Sequence, residues 1–327
     1  MTQPQPDIFF VGVSWDSIPD AHCFSHNAMA TVFEIIIIHK DTAYAKQAAW
    51  AAFDELDKLE QQLSRFVENS DISRINNLTA NHSLQIGPAA FGCLQLCASL
   101  YDQTDGAFDI TIGSLVDCWL SKDKTIRTPS EEQLNQARHR TGLHLVKLDE
   151  TEHTVQLPTS PVQIDLGGIG KGYAIDQMAK LLSDWGIDTV LINGGCSSVL
   201  ALGRPHNTKG WYLTLSNPTN RRQTLAHLYL QDRSVGGSGL LKGPHIIDPR
   251  KARPVSKKTA WACAPTAAAA DALSTAFMVM SPGQIRKYCS NHPDTLAMVV
   301  AENRDGKEKI LRYGLWEQNS LLKSNQK

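Results

Sequence analysis

The sequence has no charge excess, no long apolar run and no paired metal-binding cysteines, and each absence narrows its chemistry. Its 32 basic side chains are met by 33 acidic ones, a formal charge of −1. This removes the broad basic face of a nucleic-acid or anionic-membrane binder and leaves room only for a local basic pocket. Nothing approaches the roughly 18 to 20 apolar residues that span a bilayer. Val32 to Ile38 contains Glu34, and Ala260 to Met280 contains Pro265 and Asp271. Met1 to Asp20 lacks the basic start and apolar centre of a secretory signal and carries Asp7, Asp16 and Asp20. Cys23 sits in Ala-His-Cys-Phe, not among the small residues of a lipid-attachment site, so the expected location is cytoplasmic. The seven cysteines, Cys23, Cys93, Cys97, Cys118, Cys196, Cys263 and Cys289, are odd in number and dispersed. That fits reduced thiols better than a disulfide framework. Without a Cys-x-x-Cys pair they read as small buried hydrophobes, with Cys93 and Cys97 on one helical face.

What is present is ordinary globular material, 42% hydrophobic and 20% charged, enough for a sizeable core. The first twenty residues contain three prolines and no sustained period, and read as an irregular leader over 1–22. Val32 to Ile38 is β-branched and continuous, which predicts a buried strand. Ala49, Phe53, Leu56, Leu59 and Leu63 recur at three- and four-residue steps, which predicts a helix from Thr42 to Leu63. Gly87-Pro88 opens a second helix through Tyr101, with Pro88 in the first turn. Residues 121–160 are polar and read as loops with a short helix near 130–140 and a hairpin. Helices are expected over Lys171 to Trp185, ended by Gly186, and over Thr266 to Met280. Strands are expected at Asp188 to Asn193, Ser198 to Leu202, Trp211 to Leu215, Leu225 to Leu230 and Thr295 to Ala301. Gly-rich turns between them favour antiparallel pairing, so the fold class is α+β in one compact domain over 23–320, with a polar tail at 321–327.

Chemistry concentrates in four segments. Asp165-Leu-Gly-Gly-Ile-Gly-Lys-Gly-Tyr-Ala-Ile-Asp176 places four glycines in six positions just before a helix. Such a backbone approaches a ligand closely and offers N–H groups to phosphate. It is not a Walker loop, because Asp165 stands where the first glycine belongs and Gly172 where Ser or Thr belongs. Nor is it a dinucleotide fingerprint, because Ile175 occupies the last glycine position. Taken alone, a tight strand-to-helix turn explains it equally well. The second segment is Asp105-Gly-Ala-Phe-Asp-Ile-Thr-Ile-Gly113, and the third is His245-Ile-Ile-Asp-Pro-Arg250. The fourth, Ala270-Asp-Ala-Leu-Ser-Thr275, sets Asp271, Ser274 and Thr275 at i, i+3 and i+4 on one helical face. Three oxygen groups there suit a hard cation such as Mg²⁺. The simpler alternative is that Asp271 caps its helix and the hydroxyls bond back to it.

In this order the segments resemble the ApbE family, the flavin transferases that attach FMN to proteins with FAD as donor. The resemblance runs from His26 to Pro282. It includes His26-Asn-Ala-Met-Ala-Thr31, where Ala30 replaces the family's usual glycine, and Leu63-Ser-Arg-Phe66 followed by Ser70-Asp-Ile-Ser-Arg-Ile-Asn76. Asn193-Gly-Gly195 and Ser238-Gly239 complete the set. It implies a T-fold-related domain of antiparallel sheets and packed helices. By position, Met29, Phe66, Ala107, Phe108, Asp109, Asp165 and Lys171 would contact FAD, and His245, Ile246, Ile247 and Asp248 would border it. Gly168 would offer its carbonyl to Mg²⁺, with Asp271, Ser274 and Thr275 as the other ligands. Ser274 is often a carboxylate in the family, so one formal charge is missing here.

The implied reaction is attack of a Thr or Ser hydroxyl of an acceptor flavoprotein on FAD, with AMP released and Lys171 and Asp271 in catalytic roles. A non-catalytic flavin-binding protein and an FAD pyrophosphatase are the other readings. Trp50, Trp119, Trp185, Trp211 and Trp261 are expected in the core or at its rim, and His22 with His26 on a surface loop. His139, His144 and His153 are too dispersed for a metal set. Arg221-Arg222 reads as a solvated turn, and Cys196 lacks a nearby base.

Overall fold

An eight-stranded, wholly antiparallel sheet organises the chain in a computed structural model, which describes residues 10–11, 15–121, 125–159, 161–217, 220, 223–240, 245–302, 306–316 and 322–323. From edge to edge its strands are Glu308–Tyr313, Leu296–Glu302, Thr259–Ala264, Arg233–Gly239, Ser198–Leu202, Val190–Gly194, Thr31–Ile38 and Ala21–Ala28. Alternation along each strand divides its side chains between two cores. Phe33, Ile35 and Ile37 join Ala260, Ala262, Ala297 and Val299 in a core beneath the helices. Ile36, Trp261, Cys263, Met298 and Val300 face the other way and meet Trp211, Leu213, Leu228 and Leu230. Those last four belong to a smaller sheet built from Phe10–Val11, Trp211–Ser216, Thr224–Leu230 and Leu322–Lys323.

The helices begin with α1, Thr42–Leu63, whose N-cap Asp41 accepts from the N–H groups of Ala43 and Tyr44. The short α2, Asp71–Asn76, is capped by Ser70, and α3, Pro88–Gln103, starts with proline in its first turn. Helices α4, Gly113–Trp119, and α5, Glu131–Arg138, carry a third, small core with Ile247 and Ala252. Helix α6, Gly170–Asp184, follows the glycine-rich segment, α7, Ala267–Val279, carries the oxygen face, and α8, Pro282–Asn291, closes the series. None of the described helices is long and apolar enough to cross a membrane.

Helix α7 lies directly on the strand Arg233–Gly239, and glycine makes this possible. A Cβ on Gly236 would come within 2.3 Å of the Ala270 carbonyl oxygen, so any larger residue would push the helix off the sheet. The N-terminal turns of α6 and α7 touch just as closely, since a Cβ on Gly172 would sit 2.2 Å from the Ala267 carbonyl oxygen.

The α+β class, the antiparallel pairing and the long helices agree with the sequence reading. The expected leader differs: Phe10–Val11 pairs with Leu215 and Thr214, and a regular strand already begins at Ala21. His22 and His26 are therefore half-buried strand residues, not loop residues, and His26 stacks on Phe53 while its Nε2 meets Asp57. In the expected polar tail, Leu322–Lys323 pairs with Leu228 and His227. Trp211 and Trp261 are buried, whereas Trp50 stands 59% exposed on α1. All seven cysteines are free thiols. Arg221-Arg222 lies outside the described residues.

Candidate active site

The site forms where α6 and α7 cross above one end of the large sheet. Each helix brings a carboxylate to the other's first turn. Asp176 of α6 accepts from the N–H groups of Ala267 and Ala268 at 2.7 and 2.9 Å. Asp271 of α7 accepts from the Gly172 N–H at 3.1 Å, and Lys171 Nζ lies 3.8 Å from the same oxygen. Asp271 thus caps a helix, but not its own. Both carboxylates complement the positive end of a helix dipole. Burial raises the Asp176 carboxyl to about 6, against the pull of its two N–H donors.

One turn further along α7 is a knot of hydroxyls. Ser274 Oγ donates to the Asp271 carbonyl oxygen at 2.8 Å, so the expected back-bond is present. Ser238 Oγ lies 2.7 Å from Ser274 Oγ and 3.0 Å from Thr275 Oγ1. Gly168 closes the group: a Cβ there would stand 3.1 Å from Thr275 Oγ1 and 3.4 Å from a ring carbon of Phe108. Gly168, Lys171, Asp271, Ser274 and Thr275 are therefore brought together, with Ser238 added.

The Asp105 to Gly113 segment runs alongside the glycine-rich loop. The Asp165 N–H donates to Ile110 O at 2.7 Å, and Gly113 N–H donates to Gln163 O at 3.1 Å. Asn76 clamps the approach, its amide exchanging two hydrogen bonds with the backbone of Ile164. Ala107, Phe108 and Asp109 are buried. Asp109 Oδ1 takes both the N–H and the hydroxyl of Thr111, at 2.8 and 2.6 Å, and burial raises its carboxyl above the usual range. Its observed partners hold the loop's own turn.

Asp165 is tied to Arg65, whose guanidinium lies 3.4 Å from its carboxylate and 4.9 Å from the Phe66 ring centre. Phe66 itself is 83% exposed, an open aromatic face backed by a cation. Burial raises the Asp117 carboxyl, and the nearby Arg65 charge opposes this. Met29 and Ala30 form the tip of the hairpin joining Ala21–Ala28 to Thr31–Ile38, both with φ near +50°. Register places that tip at the same end of the sheet as Ser238, through the pairs Phe33–Gly194, Gly194–Ser198 and Ser198–Gly236.

The His245 to Arg250 segment forms a hairpin, Ile247–Asp248 with Arg253–Pro254, inserted between the strands that carry Ser238 and Ala260. Ile246 reaches the main core, while Ile247 packs on the α4 and α5 core. Asp248 is buried, accepting from the Arg250 N–H and facing Lys251. The hairpin borders this end of the sheet, and its packing runs toward α4 and α5. Two surface grooves, one beside α5 and one beside α2, contain none of these residues.

Sequence motifs alone assign neither Arg65 nor Ser238 a role, although both lie inside the segments that carry the resemblance. The available signal was their position beside Phe66 and Gly239, without spacing that ties them to Asp165 or α7.

The profile of the ApbE family matches residues 29–300. The chain belongs to the ApbE family. Among curated ApbE relatives, the FAD:protein FMN transferase of Klebsiella pneumoniae is 27% identical over 290 residues, 84% of this chain and 83% of the relative. The protein of the same description from Escherichia coli K12 is 26% identical over 264 residues, 76% of this chain and 75% of the relative. The crystal structure of the ApbE protein of Thermotoga maritima superimposes with a TM-score of 0.79 at 25% identity, over 90% of this chain and 97% of that one. The flavin transferase ApbE of Vibrio cholerae gives 0.78 at 23% identity, over the same shares.

Proposed function

We propose that this ApbE-family chain is a Mg²⁺-dependent FAD:protein FMN transferase, moving FMN from FAD to a Thr or Ser hydroxyl of an acceptor flavoprotein. The observation that carries the reading is the meeting of Lys171 and Asp271 at the first turn of α6, with the hydroxyls of Ser274 and Thr275 one turn further along α7 and Thr275 beside Gly168. A helix N-terminus with a lysine in its first turn receives a diphosphate, and the glycines allow it close to the backbone.

The donor set suits a hard cation. Asp271 contributes a carboxylate, Ser274 and Thr275 contribute hydroxyls, and the absence of a side chain at Gly168 leaves its backbone beside Thr275 Oγ1. When bound, Mg²⁺ would neutralise charge on the diphosphate oxygens. In the reaction the acceptor oxygen bonds to the FMN-side phosphorus, and the bond from that phosphorus to the bridging oxygen breaks. AMP leaves with the bridging oxygen and its electron pair. Lys171 holds the diphosphate and offsets charge as it develops, while Asp271 orients the acceptor hydroxyl and takes its proton. Arg65 and Asp165 set Phe66 beside the approach, where an exposed ring offers a face for the isoalloxazine.

The test of this assignment is Asp271→Ala. AMP release from FAD in the presence of Mg²⁺ and an acceptor should fall at least 100-fold, while FAD affinity, read by flavin fluorescence in the absence of metal, changes little. Undiminished AMP release from the variant would remove Asp271 from the reaction.

A further inference from the structure

We infer that this chain assembles its cation site only when FAD is bound, because Lys171 holds the one carboxylate the cation needs. The inference rests on the reading of the α6 and α7 crossing as an FAD site and concerns the order in which that site fills.

Asp271 Oδ2 is engaged twice, by the Gly172 N–H at 3.1 Å and by the Lys171 ammonium at 3.8 Å. Both side chains are largely shielded from water, with 4% of Asp271 and 22% of Lys171 exposed. Their attraction is therefore less screened than that of a surface pair. The remaining oxygens are neutral and already satisfy one another: Ser274 Oγ donates to the Asp271 carbonyl, and Ser238 Oγ bridges Ser274 and Thr275. Among the described residues no group of three or more His, Cys, Asp or Glu side chains gathers to hold a metal. The formal charge of Asp271 with Lys171 is zero. A divalent cation entering alone would meet a carboxylate already paired with an ammonium, and hydroxyls bonded to each other.

A diphosphate changes both terms. It brings two negative charges to the first turn of α6, where Lys171 can turn from Asp271 to the phosphate oxygens. Asp271 is then released, and anionic phosphate oxygens supply the charge that Ser274 does not. Because linkage is reciprocal, whatever factor FAD adds to cation affinity, the cation adds to FAD affinity.

Mn²⁺ titrated into the full-length chain, with free Mn²⁺ read by its electron paramagnetic resonance signal, tests this without turnover. FAD binding is followed separately by fluorescence in the absence of metal. Saturating FAD should tighten Mn²⁺ binding by about tenfold or more, within the usual range of coupling between sites. Lys171→Met should tighten Mn²⁺ binding in the absence of FAD and shrink the factor that FAD adds. Ser274→Asp, which places a second carboxylate beside Ser238 and Thr275, should do the same by a different route. The inference is overturned if FAD binds the wild-type chain yet leaves Mn²⁺ affinity unchanged. It also fails if both folded variants bind Mn²⁺ without FAD no better than wild type. Absence of FAD binding at any metal concentration would instead remove the reading of the site, and this inference with it.

Discussion

Asp176 shows how one residue reports on the site's construction. Its carboxyl rises to about 6 because burial outweighs the two N–H groups it accepts, with the Asp271 charge adding to the rise. A carboxyl raised in the folded state keeps its proton longer than in the unfolded chain. Folding stability from this group is therefore greatest below the unfolded value near 4 and falls as pH rises through about 6. The full size of that fall is about 3 kcal/mol, from roughly 1.4 kcal/mol for each pH unit. Carbon-detected NMR should find an aspartate titrating near 6 that disappears in Asp176→Asn, and the variant's stability should fall less steeply across this window. A midpoint near 4 would refute the burial argument. At Ala30 the strain is conformational. Its φ of +57°, following Met29 at +49°, is a left-handed pair that glycine adopts freely. Ala30→Gly should raise stability by about 1 kcal/mol, measured as a higher denaturant midpoint at unchanged slope.

At the scale of elements, α7 is held at both ends by groups outside it. Its N-terminus is capped by Asp176, and its C-terminal carbonyls, those of Phe277, Met278 and Met280, accept from the Lys257 ammonium. Burial lowers that lysine to about 8, opposed by Asp248 and assisted by Arg250 and Lys251. Lys257→Met keeps the apolar stem and removes the donor. It should cost about 1–3 kcal/mol, the penalty for buried carbonyls left unpaired, read by thermal unfolding. Gly172→Ala should cost a similar or larger amount by forcing α6 from α7, and should weaken FAD binding as well.

These same contacts explain which elements could be read in the sequence. Helix α1 and the strand at Thr31–Ile38 bury one continuous apolar face, and their periodicity is plain. The strands Arg233–Gly239 and Thr259–Ala264 lie at the centre of the sheet but are rich in Gly, Ser and Ala, because α7 rests on them. Small residues leave no hydrophobic alternation to detect. Ala21–Ala28 is an edge strand with only Ala28 buried, which is why it resembles a loop. In the site, the shared helical face of Asp271, Ser274 and Thr275 is legible from spacing, but their role as ligands comes only from the family resemblance. Ser238 reaches them from 36 residues away, and Arg65 reaches Asp165 from another turn of the fold. Neither meeting has a local signature.

For the molecule as a whole, a nearly neutral chain can serve a dianionic cofactor because its charge is arranged locally. One lysine, one helix N-terminus and a set of oxygens gather where two helices cross, while 32 basic and 33 acidic side chains balance overall. The large sheet supplies rigidity, and the loops after its strands supply the edges of the site. The most direct test of transfer is intact-mass spectrometry of a candidate acceptor flavoprotein incubated with this chain, FAD and Mg²⁺. The account predicts a mass gain of FMN less water on one Thr or Ser, with one AMP released for each adduct, and neither product when Mg²⁺ is chelated. AMP and free FMN formed without any adduct would make the protein an FAD pyrophosphatase instead. FAD left intact across a range of metals and acceptors would contradict both and leave only a flavin-binding protein.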